Sequence, residues 1–208
     1  MPVDLWLTFV AASVALLLIP GPTVLLVLSY ALSKGRSVAV ASAMGVALGD
    51  LVAMTASLVG LGALVMASAT LFVALKWIGA AYLIWLGIKL LRSAPGADAA
   101  DLPQADITAK NVFTHTAAVT ALNPKSIAFF IAFVPQFIQP QATLAPQFAI
   151  LIATFVGLAA ANALAYALLA DHLRHAIKRP SVLRNLTRLG GATLIAMGLM
   201  TALLRRPT

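Results

Sequence analysis

The chain has 208 residues, of which 62% are hydrophobic and only 10% are charged, and its mean hydropathy is +0.99. Soluble domains carry about 25% charged residues, so this composition excludes a water-soluble globular protein. The 14 Lys and Arg residues outnumber 6 acidic residues but lie mostly in short loops between apolar runs, which favours membrane topology signals and contacts with anionic lipid over binding of nucleic acid.

Six apolar runs follow one another along the chain, and several of them are longer than the roughly 20 residues that a membrane-spanning helix needs. They lie near Leu5–Leu32, Val38–Met66, Thr70–Leu91, Val112–Ile138, Leu144–Ala170 and Leu186–Leu204. The sequence therefore predicts an all-α integral membrane protein with six spans, numbered one to six here. Span six is the weakest, because Arg188 and the pair Gly190-Gly191 lie near its start.

Residues 93–111 form the one sizeable polar stretch, which contains proline, glycine and three of the six Asp residues, a composition typical of a solvent-exposed linker. This linker divides a single transmembrane domain, residues 1–208, into residues 1–92 and residues 112–208, with three spans each. Because three is an odd number, the second set of spans must enter the membrane in the opposite orientation. The sequence thus predicts a 3+3 inverted repeat.

The positions of Lys and Arg predict the orientation, because cytoplasmic loops are enriched in these residues. The loops that follow spans one, three and five carry Lys34, Arg36, Lys89, Arg92, Lys110, Arg174, Lys178, Arg179, Arg184 and Arg188, whereas the opposite side carries Lys76, Arg205 and Arg206. We therefore expect the linker in the cytoplasm and both termini outside. The side of the C-terminus depends on whether span six crosses fully.

Proline residues interrupt spans one and four near their middles, in Ile19-Pro20-Gly21-Pro22 and Leu122-Asn123-Pro124-Lys125. A proline inside a helix removes a backbone donor and clashes with the preceding turn. In lipid, such breaks survive only where protein or a water-filled cavity satisfies the freed backbone groups. Matching breaks in two halves point to a transporter's binding site, with a structural kink in each helix as the alternative. Gly21 would let a ligand or another backbone approach closely.

Asp50 lies near the middle of span two. A carboxylate at that depth costs about 2.5–3.5 kcal/mol on insertion scales, so we expect it to face a cavity or a partner. It follows Gly49 in a row of small residues of the kind that lets helices approach closely, and span five carries a similar row near Asn162. The rows are Ala41, Gly45, Gly49 and Ala53, and Ala153, Gly157, Ala161 and Ala165. Asp50 is a candidate proton carrier, and a fixed ion pair is the alternative.

Lys125 is the one cation well inside an apolar run. We expect it to pair with Asp50 or to contact a substrate carboxylate, and snorkelling to an interface is the alternative. Asn123 and Asn162 are amides at similar depth in spans four and five. Each can donate and accept, which suits a zwitterionic ligand. The alternative for each is a hydrogen bond between helices, and for Asn162 the two interpretations are equally supported.

In order and spacing, these features resemble the LysE/RhtB family of bacterial amino-acid exporters. The matching residues are Pro20-Gly21-Pro22, Gly35-Arg36, Gly45 through Asp50, Lys76, Gly79 through Leu83, Leu86-Gly87 and Asn123-Pro124-Lys125. The resemblance implies a multi-pass protein of the bacterial inner membrane that exports amino acids or close derivatives, driven by the proton gradient. It also implies that Asp50, Asn123, Pro124 and Lys125 belong to the translocation pathway.

From these features we expect an alternating-access antiporter with one site near the membrane midplane. The predicted substrate and proton pathway contains Pro20, Gly21, Pro22, Gly49, Asp50, Asn123, Pro124, Lys125 and Asn162. With a single intramembrane acid, a neutral amino acid is slightly favoured over a doubly positive one. The expected partners are the amino acid, protons and membrane lipids, without nucleic acid, and assembly into a homo-oligomer is left open.

An enzyme is not expected. Three scattered His residues, one intramembrane acid and the absence of Cys supply neither a nucleophile–base set nor a metal cluster, so no cofactor or metal is predicted. The remaining alternative is a membrane scaffold or channel subunit without coupled transport. Such a protein would not need matching breaks in the middle of two spans.

Overall fold

The computed structural model describes residues 1–19, 21–34, 38–67, 69–92, 108–139, 141–170 and 180–203, and within these ranges the regular structure is entirely helical. The α-helices are α1 (Val3–Leu18), α2 (Pro22–Lys34), α3 (Ala39–Ala67), α4 (Ala69–Arg92), α5 (Ala109–Ala121), α6 (Pro124–Ala128), α7 (Leu144–Leu168) and α8 (Pro180–Leu203). Helix α6 continues into a π-helical turn at Phe129–Phe133 and a 3-10 turn at Val134–Phe137. The predicted all-α class is confirmed.

Several helices have the length and apolar composition of membrane spans. In the described residues, Ala39–Gly60, Ala109–Phe137 and Leu144–Leu168 each suffice to cross a membrane, and the bent pair Val3–Leu18 and Pro22–Leu32 adds a fourth if it forms one span. Thr187–Leu203 is a shorter apolar helix. These helices are those of a membrane protein, and the count of six crossings stays a prediction.

Some residues named in the sequence predictions lie outside the described residues. These are Pro20, Gly35, Arg36, the linker residues 93–107, Arg174, Lys178, Arg179, the C-terminal Arg205 and Arg206, and the side chains of Lys34 and Lys76.

Both predicted helix breaks are present. Helix α1 ends at Leu18 and α2 begins at Pro22, with an angle of 56° between the two segments. Helix α5 ends at Ala121, and α6 begins at Pro124 after the extended residue Asn123. Pro22 and Pro124 thus start new helices, where the missing N–H is harmless because first-turn N–H groups have no intrahelical partner. The proline residues therefore separate helices in both spans and do not merely kink them.

Two helices begin earlier than the apolar pattern predicts. Thr108 caps α5, since its hydroxyl accepts a hydrogen bond from the backbone N–H of Asn111 at 3.2 Å, so residues 109–111 are helical and not part of a linker. Helix α8 begins at Pro180, six residues before the predicted start of span six. The charged side chains of Arg184 and Arg188 interrupt the apolar run there but do not interrupt the helix.

Close packing of α3 against α5 depends on two glycines. A Cβ atom added to Gly45 would lie 2.6 Å from the carbonyl oxygen of Phe113, and one added to Gly49 would lie 2.6 Å from that of Ala117. The row of small residues predicted in span two is therefore a true helix contact. This contact also fixes the position of Asp50, the residue after Gly49, relative to α5.

The corresponding row in span five was wrongly interpreted as a packing surface within the chain. Ala153, Gly157, Ala161 and Ala165 are all exposed, and a Cβ atom on Gly157 would meet nothing within 4 Å. Helix α7 buries a different face, formed by Gln147, Leu151, Phe155, Ala159, Ala163 and Ala167. Because α7 is rich in alanine on every side, spacing alone could not show which face makes contact.

Six buried phenylalanine side chains from three helical segments form a phenylalanine cluster, namely Phe9, Phe129, Phe130, Phe133, Phe137 and Phe155. Adjacent rings contact one another with centroid distances from 4.8 Å, between Phe130 and Phe155, to 6.5 Å, between Phe9 and Phe129. Such offset and edge-to-face contacts add to the stabilisation from burial. The cluster joins α1, the segment after α6, and α7 on one side of the two helix breaks.

Candidate functional site

A small, partly enclosed cavity of about 30 Å³ lies where the two helix breaks meet. A cavity of this volume has room for about two water molecules, so binding of a larger ligand requires the surrounding helices to move apart. Its lining contains the polar or open positions Gly21, Thr23, Asp50, Asn123, Lys125, Ser126 and Asn162, and the apolar residues Leu16, Leu17, Val24, Val27, Val46, Ala159 and Ala163. Residues from α1, α2, α3, α6 and α7 and from both breaks thus surround one space.

Lys125, from the second break, binds the helix that ends at the first break. Its Nζ atom donates to the carbonyl oxygen of Leu16 at 3.2 Å and to that of Ile19 at 3.0 Å. The last carbonyls of a helix lack the usual partner one turn ahead, although that of Leu16 also accepts from the backbone N–H of Ile19 at 3.2 Å, and a positive charge there is favoured by the helix dipole. A Cβ atom on Gly21 would lie 3.2 Å from this Nζ, so glycine leaves room for the lysine.

The two other carbonyls at the end of α1 receive donors from α7. The Nδ2 atom of Asn162 donates to the carbonyl oxygen of Leu17 at 3.1 Å, and the hydroxyl of Tyr166 donates to that of Leu18 at 3.2 Å. Asn162 thus forms a hydrogen bond between helices, which was one of its two predicted roles, and it also lines the cavity. Side chains of the second half of the chain thus satisfy the freed carbonyls of the first half.

Asn123 connects the second break to α2. Its Oδ1 atom accepts from the backbone N–H of Lys125 at 3.0 Å and so caps α6, while its Nδ2 atom donates to the hydroxyl of Thr23 at 3.1 Å. The hydroxyl of Thr120, at the end of α5, lies 3.4 Å from that of Thr23. One asparagine therefore both starts a helix and contacts the first turn of the helix that follows the other break.

Asp50 is almost fully buried, with 2% of its surface exposed, and it lines the cavity. Its Oδ1 atom has no hydrogen-bond partner among the described residues. Lys125 is close enough for its charge to act on Asp50, but the Nζ of Lys125 is bonded to the carbonyls of α1. A direct pairing of Asp50 with Lys125, one of the two contacts expected for the lysine, is therefore absent from the described structure, and its contact with a substrate carboxylate stays a prediction.

The remaining predicted site residues lie at the edges of this space. Pro22 and Pro124 are exposed, each at the start of a helix, and Gly49 lies in the contact between α3 and α5. Pro20 lies outside the described residues. The structure thus brings together Gly21, Asp50, Asn123, Lys125 and Asn162, and their roles in transport stay predictions.

Three contributing residues were missed by the sequence analysis as site residues. Thr23 and Ser126 line the cavity, and Tyr166 binds the end of α1. The available signal was a hydroxyl residue in the first helical turn after each proline, at Pro22-Thr23 and at Pro124-Lys125-Ser126. For Tyr166 the sequence offered only its position one turn after Asn162 on the same helix.

Comparison with known proteins gives a consistent result. Residues 14–205 match the family model described as the LysE type translocator. The chain is 34% identical to the homoserine/homoserine lactone efflux protein of Salmonella typhimurium, over 97% of this chain and 98% of that protein. It is 31% identical to the leucine efflux protein of Klebsiella pneumoniae, over 66% and 65% of the two chains. An uncharacterized membrane protein of Vibrio cholerae is 34% identical, over 97% and 98%. No solved structure matches significantly.

Proposed function

The chain belongs to the family of LysE-type translocators, and from this premise we propose that it exports amino acids or close derivatives across the bacterial inner membrane in exchange for protons. Relatives named for efflux of homoserine, homoserine lactone and leucine support this substrate class. The observation that carries the exchange mechanism is the buried carboxyl group of Asp50, a residue that lines the cavity and whose Oδ1 atom has no hydrogen-bond partner among the described residues.

The cavity offers complementary groups for the two charges of an amino acid. The open carboxylate oxygen of Asp50 suits the α-ammonium group, because a buried charge is tolerated only when it is paired. The α-carboxylate has donors in the Nζ of Lys125, which uses two of its three protons on α1, and in the first turn of α2, whose N–H groups have no intrahelical partner. Thr23, in this turn of α2, and Asn123 also line the cavity and are hydrogen-bonded to each other.

Proton exchange follows from competition for Asp50. An ionised carboxylate in the membrane interior must be neutralised by a bound cation or by a proton. A substrate ammonium group and a proton can each neutralise Asp50, but not both together. The carrier would therefore release a proton when it binds substrate from the cytoplasm, and would return empty with Asp50 protonated from outside.

Alternating access requires that the cavity be closed on one side at a time. In α1 and α7 the phenylalanine cluster precedes the cavity residues, and in the fourth crossing it follows them, so it lies on the side that the Lys and Arg pattern assigns to the exterior. We propose that this conformation is closed toward the outside by the cluster. On the cytoplasmic side, Leu26, Tyr30, Val38 and Val112 pack together between the end of α2 and the starts of α3 and α5, so entry of substrate from that side would require these helix ends to separate.

We also propose a six-span protein with a 3+3 inverted repeat. Contacts between α3 and α7 and between α4 and α8 join the corresponding second and third spans of the two halves. Gly87 and Gly191 support this, because a Cβ atom on either would lie 2.6–2.7 Å from the carbonyl oxygen of the other. Reciprocal contacts of this kind are what a two-fold relation between the halves produces.

The test is transport by the purified protein in proteoliposomes with an imposed pH difference. Labelled leucine and homoserine should accumulate against their gradients on the side with the higher proton concentration. Asp50→Asn should abolish this accumulation, while Asp4→Asn, an exposed acid in the first turn of α1, should behave like the wild type. Accumulation by Asp50→Asn would remove Asp50 from the mechanism. Equilibration without accumulation by the wild type would instead indicate a channel.

A further inference from the structure

The apolar part of the cavity lies on one side of its polar groups. On α2, Val24 and Val27 follow Thr23, and on α3, Val46 precedes Asp50 by one turn. The end of α2 and the start of α3 are joined by a short connection. The valines on both helices therefore lie closer to that connection than Thr23 and Asp50 do. All three valines line the cavity. A substrate whose charged groups bind near Asp50 would therefore extend its side chain along this valine wall.

The valine wall is rigid. Val24, Val27 and Val46 are 7%, 0% and 3% exposed, and a β-branched side chain in a helix has one strongly preferred rotamer. Ala159 and Ala163 of α7, which line the same cavity, are also buried and small. Because protein interiors leave little free space, these methyl groups border the space that a substrate side chain can occupy when the cavity widens.

The charges of the lining also restrict the substrate. Among the described residues that line the cavity, Asp50 is the one acid and Lys125 the one cation. The two charges of the amino-acid backbone would engage both. A charged side chain would then face the valine wall without a partner, and burial of an unpaired charge is strongly unfavourable.

We propose that the cavity selects amino acids with uncharged side chains of limited size, and that Val27 and Val46 determine the size limit. This inference rests on the proposed function, since it describes the substrate of the same cavity. The discriminating groups are methyl groups, whose removal or addition in a hydrophobic pocket changes relative specificity about 10–200-fold. Selectivity, more than the overall rate, is therefore the quantity to measure.

The experiment is competition in proteoliposomes that contain the full chain, with labelled leucine as the transported probe. Unlabelled homoserine and leucine should compete at least about 10-fold better than phenylalanine or lysine. Val27→Ala and Val46→Ala should each improve competition by phenylalanine about 10-fold relative to leucine, because each removes methyl groups from the wall. Val52→Ala is the matched control, since Val52 is 52% exposed on α3 and does not line the cavity.

A variant with a larger side chain provides a second test if an alanine variant folds poorly. Val46→Ile adds one methyl group and should weaken leucine relative to homoserine by about 10-fold. Unchanged selectivity in the folded valine variants would overturn the inference, as would competition by lysine as strong as that by leucine. Either result with accumulation still dependent on Asp50 would leave the proposed function standing. Failure to transport any amino acid would overturn both.

Discussion

The Nζ atom of Lys125 lies 3.0 Å from the carbonyl oxygen of Ile19, so a residue of the second helix break stabilises the end of the helix at the first. The same Nζ also binds the carbonyl of Leu16. A helix that ends inside a membrane leaves carbonyl groups that water cannot reach. The described hydrogen bonds of the lysine Nζ thus all go to backbone carbonyls of the first break, whereas the Oδ1 atom of Asp50 has no hydrogen-bond partner among the described residues.

Lys125→Met should destabilise the protein because it removes both hydrogen bonds from the end of α1. Hydrogen bonds to charged groups contribute about 1.5–3 kcal/mol each, so a large fall in the unfolding temperature of the detergent-solubilised protein is expected. Lys110→Met is the control, since Lys110 is exposed in the first turn of α5. An unfolding temperature of Lys125→Met equal to that of the control would show that the carbonyls of α1 do not need the lysine.

Asn123 and Thr23 should be energetically coupled. Asn123→Ala removes the cap of α6, at a cost of about 1 kcal/mol, together with the hydrogen bond to Thr23. Thr23→Val removes the hydrogen bond to Asn123 and also the 3.4 Å contact between the hydroxyls of Thr23 and Thr120. Because both substitutions remove the same bond, the double variant should be less destabilised than the sum of the two by about 0.5–1.5 kcal/mol.

The control cycle pairs Asn123→Ala with Thr8→Val, because Thr8 is exposed and bonds only to the carbonyl of Asp4 in its own helix. Effects in that cycle should add. Additive effects in the cycle of Asn123 with Thr23, measured by chemical unfolding in the same detergent, would show that the two breaks are not linked through this bond.

Gly49→Ala should destabilise the contact between α3 and α5. The new Cβ would lie 2.6 Å from both the carbonyl oxygen of Ala117 and the Cβ of Thr120, and overpacking of this kind costs about 1–3 kcal/mol. Gly60→Ala in the same helix meets nothing within 4 Å, so it should leave the unfolding temperature unchanged or raise it slightly, because alanine is the better helix former. Equal effects of the two substitutions would contradict the close packing at Gly49.

The sequence was sufficient to predict the helical class, the location of both breaks and the convergence of Asp50, Asn123 and Lys125. These features follow from local physical rules, since proline must interrupt a helix and a charge in lipid must face the interior. The partner of Lys125 could not be predicted in the same way. Its acceptors are the backbone carbonyls of Leu16 and Ile19. Every residue has a backbone carbonyl, and no residue type marks those that become acceptors.

The packing face of α7 was beyond prediction for a related reason. Rows of small residues at Ala153 and Gly157 and at Ala159 and Ala163 are equally regular in sequence, but only the second row is buried. The choice depends on Phe155 and Leu151, which share the buried face and contact other segments of the chain. Such a preference arises from tertiary contacts and not from the periodicity of one helix.

The absence of cysteine from the chain allows the proposed topology to be tested by single-cysteine labelling. Asp4, Lys110 and Ala142 are exposed, and three crossings separate the first two of them in the six-span arrangement. A membrane-impermeant maleimide should label Asp4→Cys and Ala142→Cys in intact spheroplasts, whereas Lys110→Cys should react only after permeabilisation. Each variant should retain leucine export, which shows that it is folded. If α1 and α2 formed a re-entrant loop in place of a crossing, Asp4→Cys and Lys110→Cys would react from the same side, and the inverted repeat would have to be abandoned.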